Sequence, residues 1–184
     1  FLTINRGKRS IVIDLKRREG QAVLLRLARS ADVLVSNIRP AAMARLGLDF
    51  ESLHKVNPRL VYAAITGYGQ DGPYAPKPAY DDLMQGAALI ASLTARATGG
   101  EPRFAPLAMA DRITGLMAVG AINAALVHRE RGGEGQLVEI PMFETMVAFV
   151  LGDHIGGKAF DPPLDGGGYQ RHLSPDRKPY RTKD

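Results

Sequence analysis

The chain has no cysteine and no tryptophan, and aromatic residues fill only 7% of its 184 positions. Without cysteine there is no disulfide framework, no thiol nucleophile and no Cys-ligated metal site. The four histidines, His54, His128, His154 and His172, are scattered with no His-x-x-x-His pair, so no metal is expected. Long apolar runs are missing too. Leu116–Val127 is interrupted by Gly120 and Asn123 and reads as too short to cross a bilayer. No basic-then-apolar leader opens the chain, and the expectation is a cytoplasmic protein with no membrane segment.

What is present is ordinary for a folded domain: 45% hydrophobic and 23% charged residues exclude a disordered chain. Lysine and arginine number 24 against 19 acidic residues, a formal net charge of +5. The cations are dispersed, with the densest groups at Arg6–Arg9, Lys16–Arg18 and Arg171–Lys183. Nucleic-acid binders concentrate such charge on one face, often with interleaved aromatics, so no nucleic-acid partner is expected. A small polyphosphate ligand needs only two or three well-placed cations and fits this balance better.

Hydrophobic periodicity alternates strands and helices. Ser10–Leu15 (SIVIDL) is short and β-branched and predicts a strand. Arg17–Ala31 carries an apolar stripe against Arg17, Arg18, Arg26 and Arg29 and predicts a helix. Asp32–Ser36 predicts a second strand, buried on both faces by its near-continuous apolar run. Phe50–Val56 predicts a short helix stopped before Asn57-Pro58, and Leu60–Thr66 a third strand. That order is the order of an α/β fold with a parallel sheet. Further on, Asp81–Leu93 and Asp111–Arg131 predict helices, Gln136–Ile140 a strand and Phe143–Leu151 a helix. Gly115 and Gly120 inside a helix cost about 1 kcal/mol each relative to alanine, which suggests close approach of another backbone. Residues 1–151 are expected to be part of one large α/β domain, and 152–184, rich in Gly, Pro and charge, read as an extended arm or linker without a core of its own. The opening Phe1-Leu2-Thr3-Ile4-Asn5 and the closing Pro179–Asp184 both read as interior sequence of a longer protein.

No phosphate loop of the Gly-x-x-x-x-Gly-Lys type, no strand-linked Gly-x-Gly-x-x-Gly and no Gly-x-Ser-x-Gly elbow occurs. With thiols absent, carboxylates are the plausible nucleophiles. Asp111 stands out at the mouth of the long helix, where the dipole keeps it ionised, and a plain N-cap is the competing reading. Asp14 and Lys16 leave the first predicted strand, Asn37-Ile38-Arg39-Pro40 follows the second with Arg45 one turn on, and Gly67–Ala75 follows the third. Ligands of open α/β sheets bind beyond the carboxyl ends of strands. Together these segments suggest a site for an anionic, nucleotide-like ligand, with Tyr80-Asp81 lining it or merely starting a helix.

The ordered segments NRGKRSIVIDLK, ADVLVSNIRPAAMARLGLD, NPRLVYAAITGYGQDGPYA, AYDDLMQGAALIASLT, AMADRITG, INAALVHRERGGEGQLVEIPMFE and KPYRTKD resemble the class III coenzyme A transferases, a family that includes the 2-methylacyl-CoA racemases. The resemblance covers nearly all of the chain. It implies a large Rossmann-like domain, a smaller second domain toward which 152–184 would lead, and two subunits interlocked as a homodimer. It also implies that the chain is a fragment, lacking the first strand and helix, the small domain and a Gly-rich lid. The aspartate of the AMADRITG-like segment is the family's nucleophile, which moves Asp111 from cap to catalyst. Coenzyme A contacts carry over to Ile13, Asp14, Leu15 and Lys16, to Asn37, Ile38, Arg39 and Arg45, and to Ala79, Tyr80 and Asp81. Of these, Arg39 and Arg45 suit phosphate best, because a guanidinium presents a planar fork of donors.

The reaction so implied moves coenzyme A from an acyl-CoA to a carboxylic acid through an aspartyl anhydride and an aspartyl-CoA thioester. Racemase relatives carry a histidine in the segment matching Ala79–Gln85. Tyr80 stands there here, which favours transfer. A non-catalytic CoA-binding fragment is the alternative of a different class.

Overall fold

Val61–Thr66 (β2) is the centre of a three-stranded parallel sheet, flanked by Val33–Ser36 (β1) and Leu137–Pro141 (β3) in the order β1-β2-β3. The computed structural model describes residues 2–183, so Phe1 and Asp184, the ends that read as interior sequence, lie outside the described residues. Around the sheet run α1 (Arg18–Ala28), α2 (Pro40–Arg45), α3 (Phe50–Val56), α4 (Asp81–Ala87), α5 (Ile90–Thr98), α6 (Met109–Glu130), α7 (Met142–His154) and α8 (Gln170–Leu173). The parallel α/β architecture is the one expected.

Strand alternation explains the layers. Tyr62 and Ala64 of β2 turn to one face and pack with Ala28, Leu48, Leu53 and Leu60, beneath α1 and α3. Ala63 turns to the other, against Ala118 of α6 and Ile140 of β3. Leu53 and Leu48 have no exposed surface, and each such side chain contributes about 1.5–3 kcal/mol of burial. A third cluster, Met84, Ala88, Ala110, Met146 and Val150, fastens α4, α6 and α7 together. This cluster fixes where the start of α6 stands.

Two polar devices hold the ends of the elements. Asp49 caps α3 by accepting the Ser52 N–H at 2.8 Å, and that bond holds its carboxyl below the usual carboxylate range. Arg129, 7% exposed at the end of α6, donates to the Arg59 carbonyl at 3.1 Å and to Asp32 Oδ1 at 3.1 Å. It thereby ties α6 to the residues that enter β1 and β2.

Several expectations need correction. Ser10–Leu15 is not a strand: it forms no ladder with another strand among the described residues, and Val12 is 98% exposed. β-branching favours extension, but a strand also needs a ladder partner to satisfy its backbone. β1 is not buried on both faces, because no element among the described residues covers Val35, which is exposed. The helix expected over Asp81–Leu93 is two helices, broken where Leu89 adopts a left-handed conformation (φ 70°). α2 is a helix that periodicity missed, six residues long and opened by Pro40. The 152–184 segment is not uniformly extended. Asp165 Oδ1 accepts the N–H groups of Gly157 and Gly167 at 3.0 and 2.7 Å, and α8 packs on α5.

α6 is also longer and more apolar than its interrupting Gly120 and Asn123 suggest. By length and composition alone Met109–Glu130 could cross a membrane. In this fold it lies on the sheet, turning small residues such as Ala118 and Ala125 inward and leaving Leu116 and Val119 exposed. A Cβ built at Gly115 or Gly120 meets no neighbouring element within 4 Å, so neither glycine is required by a contact among the described residues.

Candidate active site

All three strands point their carboxyl ends to one edge, and a crevice of about 650 Å³ opens there. Asn37 and Arg39 reach it from the turn after β1, Thr66 and Gly67 from the end of β2, and Met142 from the end of β3. Ala79, Tyr80 and Asp81, at the start of α4, and Asp111 and Thr114, in the first turns of α6, complete its wall. Parallel strands and helix starts converge at that edge, so backbone donors and polar side chains collect there.

The turn after β1 is set by Ser36, whose Oγ accepts the Ile38 N–H at 3.2 Å and sends the chain into Pro40 at the head of α2. That turn leaves Arg39 exposed on the rim. A second hollow of about 480 Å³ adjoins the first, shares Arg39 and is lined also by Arg45. Two guanidinium groups on one hollow suit an anion such as a phosphate. Lys77 joins Arg39 as a second cation on the wall of the first crevice, its Nζ held 3.6 Å from the centroid of the Tyr74 ring.

The loop after β2 is pinned from α7. Phe143 N–H donates to the Gly67 carbonyl at 3.0 Å, and Glu144 Oε1 accepts the Gly69 N–H at 2.8 Å. Gly67 faces Ala79 so closely that a Cβ there would drive into the alanine methyl. The floor of the crevice depends on this missing side chain.

Asp111 is not the N-cap of its helix. α6 begins at Met109, the cap position is Ala108, and Ala108 contributes no side-chain bond. Capping comes from another helix: Asp81 Oδ1 accepts the Asp111 N–H at 3.0 Å. The carboxylate of Asp111 itself accepts no hydrogen bond from the described residues, although it is exposed and lines the crevice. The protein packed around it withdraws water and Asp81 adds a nearby negative charge. Both raise its pKa above the ordinary carboxylate value. A free carboxylate made more basic in this way is a better nucleophile than an ordinary surface aspartate.

Of the residues singled out in the sequence, the structure gathers Asn37, Arg39, Ala79, Tyr80, Asp81 and Asp111 on one crevice, with Arg45 on the adjoining hollow. Ile13, Asp14, Leu15, Lys16 and Ile38 do not line either. Leu15 instead packs beside the α1–α3 core, and Asp14 Oδ1 accepts the Lys16 N–H at 3.0 Å in a tight turn. Lys77 was missed, since a lone lysine in a Pro-rich loop carries no signal in sequence. Away from the crevice, Asp153, His154 and His172 come together with their ligand atoms within 4.8 Å of one another, a grouping their sequence spacing conceals. His154 Nδ1 there accepts the Tyr169 N–H at 3.2 Å, which engages one of the lone pairs a metal would need.

Helices on both faces of a parallel sheet and a crevice beyond the strand ends, lined by Arg39, Lys77, Asp81 and Asp111, define an α/β protein with a charged crevice at its strand-end edge. The chain belongs to CoA-transferase family III, whose family model matches residues 1–184. It is 43% identical over 175 residues to a succinate–glutarate CoA-transferase of Agrobacterium fabrum, a match covering 93% of this chain and 43% of that protein. It is 41% identical over 150 residues to an acetyl-CoA:oxalate CoA-transferase of Acetobacter aceti, covering 82% of this chain and 39% of that one. Among solved structures, a CaiB/BaiF family protein from Brucella suis superposes with a TM-score of 0.78 at 39% identity, covering 88% of this chain and 41% of the other. The chain thus spans less than half the length of the relatives it matches.

Proposed function

We propose that the intact protein transfers coenzyme A from an acyl-CoA to a carboxylic acid, with Asp111 as the nucleophile. The observation that carries this reading is the free, raised-pKa carboxylate of Asp111 on a crevice shared with Arg39. The Asp111 carboxylate attacks the thioester carbonyl, the C–S bond breaks and coenzyme A leaves as a thiolate, giving a mixed anhydride. The thiolate then attacks the aspartyl carbon of the anhydride, releasing the first carboxylate and leaving an aspartyl-CoA thioester. The acceptor carboxylate repeats the two exchanges in reverse order, and Asp111 returns to its starting form. Every step passes an acyl group between a carboxylate and a thiolate, so the thioester free energy is kept as long as water is excluded.

Arg39 and Arg45 are the residues proposed to hold phosphate groups of the coenzyme, with Lys77 as a further cation on the crevice wall. The presence of Tyr80 where racemisation calls for a histidine supports transfer, and no histidine stands among the residues lining the crevice. The exposed apolar residues Leu116 and Val119 of α6 are consistent with the homodimer that the family resemblance implies.

Succinyl-CoA with glutarate is the first donor–acceptor pair to try, because the Agrobacterium fabrum relative is described by those acids. The test is mass spectrometry of the intact protein mixed with succinyl-CoA and no acceptor. The expected result is a covalent coenzyme A adduct on the peptide containing Asp111. Transfer activity without any acyl or coenzyme A adduct on that peptide would overturn the mechanism.

A further inference from the structure

Gln85 has no exposed surface and does not line the crevice, yet its amide is bonded toward Asp111 on two sides. Its Nε2 donates to Asp81 Oδ2 at 2.6 Å and to the Leu107 carbonyl at 3.1 Å, and its Oε1 accepts the Ala105 N–H at 2.8 Å. The other oxygen of Asp81 accepts the Asp111 N–H. A chain of contacts therefore runs from Gln85 through Asp81 to the backbone of Asp111. A second runs from Gln85 to the 105–107 segment that leads into α6. Asp81 sits at the open end of α4, and with only the α6 contact its carboxylate could rotate about its own side-chain torsions. With Oδ2 held by Gln85, Oδ1 is aimed at α6.

We infer that Gln85 is a positioning residue for transfer: through Asp81 and the 105–107 segment it sets where the Asp111 carboxylate stands in the crevice. The inference rests on the reading of Asp111 as nucleophile. A buried amide could instead serve packing alone, and the two roles predict different kinetics. Misplacing a reacting group by about 1 Å costs on the order of a hundredfold in rate. A packing role lowers thermal stability and leaves the turnover of the folded protein unchanged.

The test uses the intact protein with succinyl-CoA and glutarate, assayed well below each variant's thermal midpoint. Gln85→Leu is expected to lower kcat by about 10- to 100-fold with KM for succinyl-CoA held within about twofold, because Gln85 does not line the crevice. Gln85→Glu keeps the volume and the acceptor for Ala105, sets a carboxylate against Asp81 and the Leu107 carbonyl, and supplies a second route should the leucine variant not fold. Its kcat is expected to fall in the same range and to recover at least about fivefold when Asp81→Asn is added, since that change exchanges donor and acceptor across one contact. A kcat for folded Gln85→Leu within about threefold of the parent, or Gln85→Glu and Asp81→Asn losses that simply multiply, would overturn the inference. Asp111→Ala run alongside separates the two levels. If it retains parental turnover, the nucleophile reading falls and takes this inference with it. If it is inactive while Gln85→Leu turns over like the parent, only the positioning role falls.

Discussion

Asp81 and Asp111 meet across two helices, the carboxylate of the first accepting the backbone N–H of the second at 3.0 Å. One acid thus caps the helix that carries the other. It also stands close enough to make the other harder to ionise. This arrangement separates the capping task from the chemical one: Asp81 satisfies an orphan donor at the start of α6, and the carboxylate of Asp111 is left free.

A raised folded-state pKa has a stability consequence of known sign. Below the ordinary carboxylate value both folded and unfolded chains carry a protonated Asp111, and no penalty exists. As pH rises through the raised folded value, the unfolded chain ionises more easily and the fold loses stability. Asp111→Asn is therefore expected to melt at a higher temperature than the parent near neutral pH, with the gap closing in acid. Thermal melts across a pH series check this.

Asp49 behaves oppositely, since its bond to the Ser52 N–H lowers its pKa. Asp49→Ala is expected to cost about 0.5–2 kcal/mol, the usual range for losing an N-cap. The cost is fully present above the unfolded-state pKa and fades as pH falls through the lowered folded value. Denaturant melts of both proteins at neutral and acid pH measure it.

Arg129→Met keeps the aliphatic bulk of the side chain and removes its donors to Asp32 and Arg59. The carbonyl of Arg59 then loses its partner beneath α6, for an expected loss of about 1–3 kcal/mol. Turnover of the folded variant is expected to stay near the parent's, because the contact lies at the far end of α6 from Asp111. Equilibrium unfolding paired with a transfer assay separates the two effects.

Gly67→Ala places a methyl against Ala79 on the floor of the crevice. Either the β2 loop or the start of α4 has to move. The expected outcome is a rise in KM for acyl-CoA together with a modest loss of stability, of about 1–3 kcal/mol as for other overpacked sites. Combining it with Ala79→Gly, which removes the opposing methyl, is expected to restore both.

The parts of this architecture legible in sequence are those where local pattern and tertiary context agree. Phe50–Val56 is stopped before Asn57-Pro58, and the helix occupies that span. β2 is buried almost throughout, as its continuous apolar run requires. Ser10–Leu15 shows the opposite case, because extension is a local preference while a strand needs a neighbour. Leu89 in a left-handed conformation could not be read, since only glycine or asparagine would advertise it. At the site, Asn37, Arg39 and Asp81 were visible as residues following strands or opening a helix. Gln85 was not, because two of its three contacts, to Ala105 and Leu107, are to groups about 20 residues along the chain, and the third gains meaning only through the bond from Asp81 to Asp111. Asp111 was visible as an acid at a helix mouth. Its freedom from capping emerges only once Asp81 is seen to do that work.

The most direct test of Asp111 as nucleophile is the transfer rate of Asp111→Asn in the intact protein, measured beside its thermal midpoint. Asparagine keeps the shape of the side chain and the backbone N–H that Asp81 accepts, but it cannot form an anhydride. The account predicts a loss of at least about a thousandfold in kcat with a midpoint equal to or above the parent's. A variant that retains most of the parental rate would contradict it.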